Sequence, residues 1–212
     1  MPGDDASPWS EQRWARFIQR SEARAARYQE LLETLEDHPD AEALIAREMG
    51  WPELEAEDDT SHPEWVAAED VQCDAGDVGE LDHELEATPV YVLARAVAVE
   101  VLTALRPYGK AADVDGGDEA DERLEAVLSN AMLPGAKLAG GHALGDDPEM
   151  IGGQIVYCLK ALDAAWAACE DLRWLTDRGH LPAAVAQPLL HRLEELARMI
   201  SRRVDKLRGR SL

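Results

Sequence analysis

The sequence predicts an all-α protein, a helical bundle preceded by a helical, acidic N-terminal extension. Three observations predict it. Aromatic residues make up only 5% of the 212-residue chain while hydrophobic residues reach 46%. Ala and Leu dominate that fraction, a balance that suits helices rather than a sheet built on Val, Ile, Tyr and Phe. Apolar residues then recur at threes and fours over long stretches of the second half. Finally, charge divides the chain. Residues 1–90 hold 25 Asp/Glu against 6 Lys/Arg, whereas residues 91–212 hold 18 against 15, out of a net −22. The composition changes abruptly at Thr88-Pro89, which places an extension over residues 1–87 and a bundle over residues 88–212.

The first helix is expected to begin at "SPWSEQ", with Ser7 or Ser10 as cap and Pro8 in the first turn. Trp14, Ile18, Ala25, Tyr28, Leu32 and Leu35 follow helical spacing. Arg13, Arg16, Arg20, Arg24 and Arg27 form a stripe on one flank, and Glu22, Glu30 and Glu33 line the other. Such banding fits either a solvated amphipathic helix docked at home or one that recognises a partner by charge. "HPDAEALIAREMGWP" reads as a short helix ended by Gly50 and Pro52. Residues 53–87 are strongly acidic and poor in periodic apolar positions. They read as a linker or surface-draped segment, with Trp65, Val66 and Val71 as anchors and one short helix after Pro63.

"TPVYVLARAVAVEVLTALRPYG" opens with a cap and a first-turn proline and runs to Arg106. It is apolar on nearly all sides, Arg95, Glu100, Thr103 and Arg106 excepted. That pattern belongs to a helix buried centrally or in a subunit interface. Its five valines make a strand the competing reading, but its length and lack of alternation favour helix. "KAADVDGGDEAD" is a loop. The next helix has an acidic first turn, suited to the macrodipole, and an apolar face of Leu124, Val127, Leu128, Ala131 and Met132. Pro134-Gly135 is expected to kink or interrupt it, and Gly140-Gly141 to close it.

"IGGQIVYCLKALDAAWAACEDLRWLTDRGHLP" follows, capped by Asp147 with Pro148 in its first turn. Ile155, Leu162 and Cys169 recur every seven residues; Leu159 and Trp166 lie four beyond the first two, and Cys158, Ala165 and Leu172 complete a wide apolar face. This spacing places Trp166 inside and leaves Trp174 off the face, free for a partner. Gly179 is a natural C-cap. After Pro182, Leu189, Leu193, Leu196, Ile200, Val204 and Leu207 repeat at fours and threes. So short a turn makes the last two helices antiparallel neighbours. The last helix also aligns Glu194, Arg198, Arg202, Lys206 and Arg210 at steps of four. Cations there suit the helix C-terminus; they also suit an RNA or ribosomal contact, or the acidic segment 53–87.

Little in the sequence points to catalysis. The net charge of −22 repels phosphate backbones, so nucleic-acid binding by the whole chain is disfavoured. Three widely spaced cysteines, Cys73, Cys158 and Cys169, argue against a disulfide framework and fit a reducing cytoplasm, with Cys158 and Cys169 on the apolar side of one helix. The acidic N-terminus lacks a signal peptide's apolar region, and no run of eighteen apolar residues exists. The sole Glu-x-x-His, Glu80 to His83, lies in the acidic segment, away from the facing helices a di-iron site requires. No catalytic, metal or cofactor residues are therefore assigned. Glu100 reads as a half-buried carboxylate paired with an arginine. His142, beside Gly140-Gly141 and near Asp146 and Asp147, reads as a loop histidine without an accompanying nucleophile.

The four stretches "VYVLARAVAVEVLTALRPYG", "LEAVLSNAMLPGAKLAGG", "IVYCLKALDAAWAACEDLRWLTDRGHL" and "LLHRLEELARMISRRVDKLRG" resemble the four-helix-bundle proteins found within intervening sequences of large-subunit ribosomal RNA genes. That family's second helix ends in Asn-Ile-Ala-Glu-Gly. Lys137 to Gly141 match it at Ala139 and Gly141, with Leu138 conservative. The resemblance covers about residues 88–212 and implies an antiparallel up-down-up-down four-helix bundle that forms homo-oligomers. The sequence as a whole is expected to be a cytoplasmic, non-enzymatic protein acting through protein contacts and homo-oligomerisation. The alternatives are RNA or ribosome association through Arg198, Arg202, Lys206 and Arg210, and a metal-binding bundle enzyme.

Overall fold

The structure, a computed structural model, describes residues 9–51, 84–109 and 119–210. The expected cap at Ser7, most of the acidic segment, Glu80 to His83 and the loop after Gly109 lie outside the described residues. Every regular element among the described residues is helical. The chain divides into two compact units, one within residues 12–78 and one made of residues 1–11 and 79–212.

The smaller unit contains α1 (Glu11–Leu35) and α2 (Ala41–Met49). The turn between them is tied by His38 N–H to the Leu35 carbonyl and by His38 Nδ1, which accepts from the Asp40 amide at 3.1 Å. Gly50 ends α2 in the left-handed conformation, φ 64°, as its position after the last periodic residue predicts. Arg27 of α1 reaches Glu48 of α2 at 3.7 Å, and the Tyr28 and Trp51 rings meet with centroids 5.4 Å apart.

The larger unit contains α3 (Pro89–Leu105), α4 (Glu119–His142), α5 (Ile151–Asp177) and α6 (Ala183–Arg210). Helix α3 packs on α4 and α6, α4 on α5, and α5 on α6. Helices α3 and α6 bury the stripe their sequence period dictates, whereas α4 buries Leu124, Val127 and Ala131 of its expected face but leaves Met132 59% exposed. In α3 the stripe is Val90, Ala94, Val97, Val101 and Leu105, and in α6 Leu189, Leu193, Leu196, Ile200, Val204 and Leu207. The valine-rich stretch is thus helix. Seventeen residues leave room for five core contacts at steps of three and four, and helical packing overrides the valines' modest β preference.

In α4 the expected interruption at Pro134 does not occur, and the helix ends one residue beyond the expected Gly140-Gly141 close. The helix runs unbroken through Pro134, whose ring is fully buried and fills the core in exchange for one lost backbone hydrogen bond. It also continues past Gly140-Gly141 to His142; the left-handed glycine that follows is Gly145, φ 76°. The glycine pair serves helix contact instead. A Cβ on Gly140 would stand 3.1 Å from Tyr157 Cε1, and one on Gly141 3.1 Å from Tyr157 Cβ. Two bare backbone positions let α4 approach α5 closely.

Entry into α5 is set by Asp147, whose carboxylate accepts from the Glu149 amide at 3.0 Å over a 3₁₀ turn, Pro148–Met150. Its exit is set by Gly179, φ 76°, with His180 N–H returning to the Leu175 carbonyl at 2.9 Å. The inner face of α5 is centred on small residues: Cys158, Ala161, Ala165, Ala168, Cys169 and Leu172 are almost entirely buried. Trp166 lies beyond the edge of that face and is 40% exposed, contrary to its expected place inside. The large side chains drew the expected face toward Trp166, whereas the alanines mark where the neighbouring helices come nearest.

Candidate interaction surfaces

The outer surface of α3 carries exposed apolar side chains. Val92, Val99 and Leu102 are 49%, 63% and 52% exposed, opposite the buried stripe. With Ala96 they form an apolar band roughly three turns long. Two ion pairs wall it. On one flank Arg95 donates to Glu86 at 2.8 Å and lies 5.9 Å from the Tyr91 ring centre. On the other, Glu100 receives two hydrogen bonds from Arg192 of α6, both at 3.1 Å, and Arg192 also reaches Glu195 at 2.8 Å. Glu86, Tyr91, Val92, Arg95, Ala96, Val99 and Glu100 enclose an open groove of about 580 Å³. Apolar side chains at its floor and charges at its rim are the anatomy of a protein-binding patch. Glu100 thus takes an arginine partner, the role its sequence context suggested. The apolar band itself escaped the sequence reading, because a helix apolar on nearly all sides does not reveal which side faces out.

The stripe of α6 is exposed throughout: Arg198, Arg202, Lys206 and Arg210 all face solvent. Arg198 donates to the Glu194 carbonyl at 3.2 Å, and Arg210 approaches Asp146 at 3.5 Å. Arg202 and Lys206 have no ion-pair partner among the described residues. Glu194, the stripe's first member, is engaged by Arg173 of α5 at 2.6 Å. The five arginines of α1, Arg13, Arg16, Arg20, Arg24 and Arg27, are likewise exposed. Of these, Arg20 returns to the Arg16 carbonyl and Arg27 to Glu30.

Trp174 is half-buried and engaged within the chain. Its ring stacks on His180 across the α5–α6 turn, with centroids 5.6 Å apart and planes 5° from parallel. The Arg178 and Arg123 guanidinium groups lie 4.5 and 5.3 Å from its centre. Arg123 is fixed in turn by Asp171, a buried carboxylate that accepts its hydrogen bond at 2.6 Å. Trp174 therefore anchors one end of the unit. His180 and Arg178, its partners in the turn, carry no periodic signal that a sequence reading could use.

The remaining titratable groups are structural in character. Burial pushes the Cys169 thiol up to about 11; Arg173 works against the shift, and Glu194 and Glu170 add to it. Burial raises the Cys158 thiol also, with Arg203 opposing. Both thiols stay protonated at neutral pH and lack the thiolate a nucleophile requires. His142 is half-buried at the end of α4, and its enclosed Nε2 has no hydrogen-bond partner among the described residues. The neighbouring Gln154 is buried and donates to the Gly145 carbonyl, closing the α4–α5 turn. Among the described residues no three His, Cys, Asp or Glu side chains converge to hold a metal ion. Nor is any described helix long and apolar enough to cross a membrane. Comparison with known proteins found no matching family model, no matching curated protein and no matching solved structure.

Proposed function

We propose that this chain is a non-enzymatic, cytoplasmic protein whose residues 88–212 form an antiparallel up-down-up-down four-helix bundle, and that it acts through protein contacts and homo-oligomerisation. The observation that carries the reading is the apolar band on the outside of α3. Val92, Val99 and Leu102 stand in water although α3 already commits five other residues to the core. Apolar surface in excess of what one fold can bury is matched by a partner.

The bundle reading is supported by which residues meet. Arg123 of α4 pairs with Asp171 of α5, while Gly141 approaches Gln154. Position rises along one helix as it falls along the other. On α5 and α6, Arg173 pairs with Glu194, while Cys158 lies within reach of Arg203. The resemblance to the ribosomal RNA intervening-sequence proteins belongs to the same proposal. Light scattering coupled to size exclusion tests the function. Full-length chain at tens of micromolar should elute with a mass of two or more copies and shift toward monomer on dilution; a monomer at every concentration overturns the reading.

The second reading, RNA or ribosome association, has one observation in its favour: Arg202 and Lys206 are exposed, without ion-pair partners among the described residues, on a face that repeats cations every turn. It requires binding that weakens steeply with salt. Absence of RNA binding at low ionic strength removes it.

A further inference from the structure

The apolar band on α3 has a polarity that selects its occupant. Val92, Ala96, Val99 and Thr103 are spaced four, three and four residues apart, the a/d seam of a two-stranded coiled coil. With Ala96 and Thr103 as a positions and Val92 and Val99 as d positions, Arg95 falls at g and Glu100 at the following e. In parallel coiled coils, g of one helix meets the following e of its partner, five residues on. The two flanks also differ in sign. One carries Arg95 and the other Glu100.

We infer that α3 is the docking site for α3 of a second copy, paired in parallel about a two-fold axis, with Arg95 of each copy against Glu100 of the other. The inference rests on the oligomeric reading above and gives it a partner and a direction. A two-fold axis along the helices lays the arginine flank of each copy beside the glutamate flank of the other, forming two equivalent cross-pairs. Antiparallel pairing instead lays arginine flank on arginine flank and glutamate flank on glutamate flank, so neither Arg95 nor Glu100 meets an opposite charge. Both charged groups are available for the exchange. Arg95 and Glu86 are each more than half exposed, so their pair is worth little and is readily given up. Glu100 is 42% exposed at its side chain and has acceptor sites left after its two bonds to Arg192. Ala96, at the groove floor, keeps the seam narrow enough for the valines to meet.

The test uses the full chain. Arg95→Glu places like charges at both cross-pairs and should weaken self-association about tenfold. Glu100→Lys should do the same, and an equimolar mixture of the two should associate as tightly as the unaltered chain, because every cross-pair in the mixed dimer is then opposite in sign. Since Glu100→Lys also removes a partner of Arg192, a thermal melt accompanies it. A second measurement is independent of charge. Val99→Cys in a Cys73→Ser background should form an intermolecular disulfide under mild oxidation, because equivalent d positions face each other along a parallel seam. If the unaltered chain is monomeric throughout, the oligomeric reading itself fails. If the chain associates but Arg95→Glu is without effect and Val99→Cys does not cross-link, association stands and the parallel seam is overturned.

Discussion

Gly140 and Gly141 are adjacent on α4, yet adding a methyl group should affect them differently. At Gly141 the new Cβ meets Tyr157 Cβ at 3.1 Å, with the Gln154 Cα and carbonyl oxygen at 3.7 Å. Those atoms belong to the α5 backbone or move with it. Ordinary carbon contacts lie at about 3.5–4.0 Å, so the two helices must separate by a few tenths of an ångström. Overpacking of this kind costs about 1–3 kcal/mol, while replacing glycine within a helix returns about 1 kcal/mol. Gly141→Ala should therefore destabilise by about 1 kcal/mol. At Gly140 the methyl meets the Tyr157 ring, with Cε1 at 3.1 Å and Cδ1 and Cζ at 3.5 Å. The ring can tilt away, so the helix gain prevails, and Gly140→Ala should be neutral or stabilising by up to about 1 kcal/mol. Urea unfolding of both variants, followed by helical circular dichroism, reads the difference as a shift in midpoint at constant slope. Gly141→Ala proving as stable as Gly140→Ala would refute the close approach of α4 to α5 at this point.

Other outcomes follow from the same geometry. The folded Cys169 thiol holds its proton to a higher pH than the ordinary value of 9.0, up to about 11. Its contribution to stability is therefore complete below pH 9 and lost as pH rises through 11. By linkage the loss amounts to roughly 2–3 kcal/mol. The stability difference between the unaltered chain and Cys169→Ala should shrink over that window, and a difference independent of pH there contradicts the assignment. At pH 8 both buried thiols should resist a thiol reagent until denaturant is added. Val97→Ala, at a fully buried position, should destabilise by about 2 kcal/mol. Val99→Ala, two residues away and mostly exposed, should leave the unfolding midpoint of dissociated chain unchanged to within about 0.5 kcal/mol.

Much of the fold was legible in the sequence because it was written as period. The stripe from Leu189 to Leu207 can face only one way, since most positions between are charged or polar, and it is buried as its spacing requires. Gly50 and Gly179 announce helix ends for the same local reason, both adopting positive φ. Legibility failed where the determinant was non-local. The inner face of α5 was set by alanines that admit neighbouring helices, and their small side chains carry less pattern than Trp166. The continuity of α4 through Pro134 depends on a core that accepts the ring, which no local rule contains. On the surface, the cations of α6 were identifiable because repeated charge at steps of four has no place in a core. The outward band of α3 was not, because valine reads alike on either side of a helix. The ring and cation partners of Trp174 were not legible, because they lie across the turn and outside any helical period.

The most direct measurement is sedimentation velocity on the full chain and on Val99→Glu, compared over the same concentrations. Val99 contributes nothing to the core at 63% exposure, so a buried charge appears only if the α3 band is an interface. The account predicts that the unaltered chain sediments as a concentration-dependent oligomer and that Val99→Glu remains a folded monomer with unchanged helical content. An oligomer that persists undiminished in Val99→Glu would contradict it and move the interface to another face of the molecule.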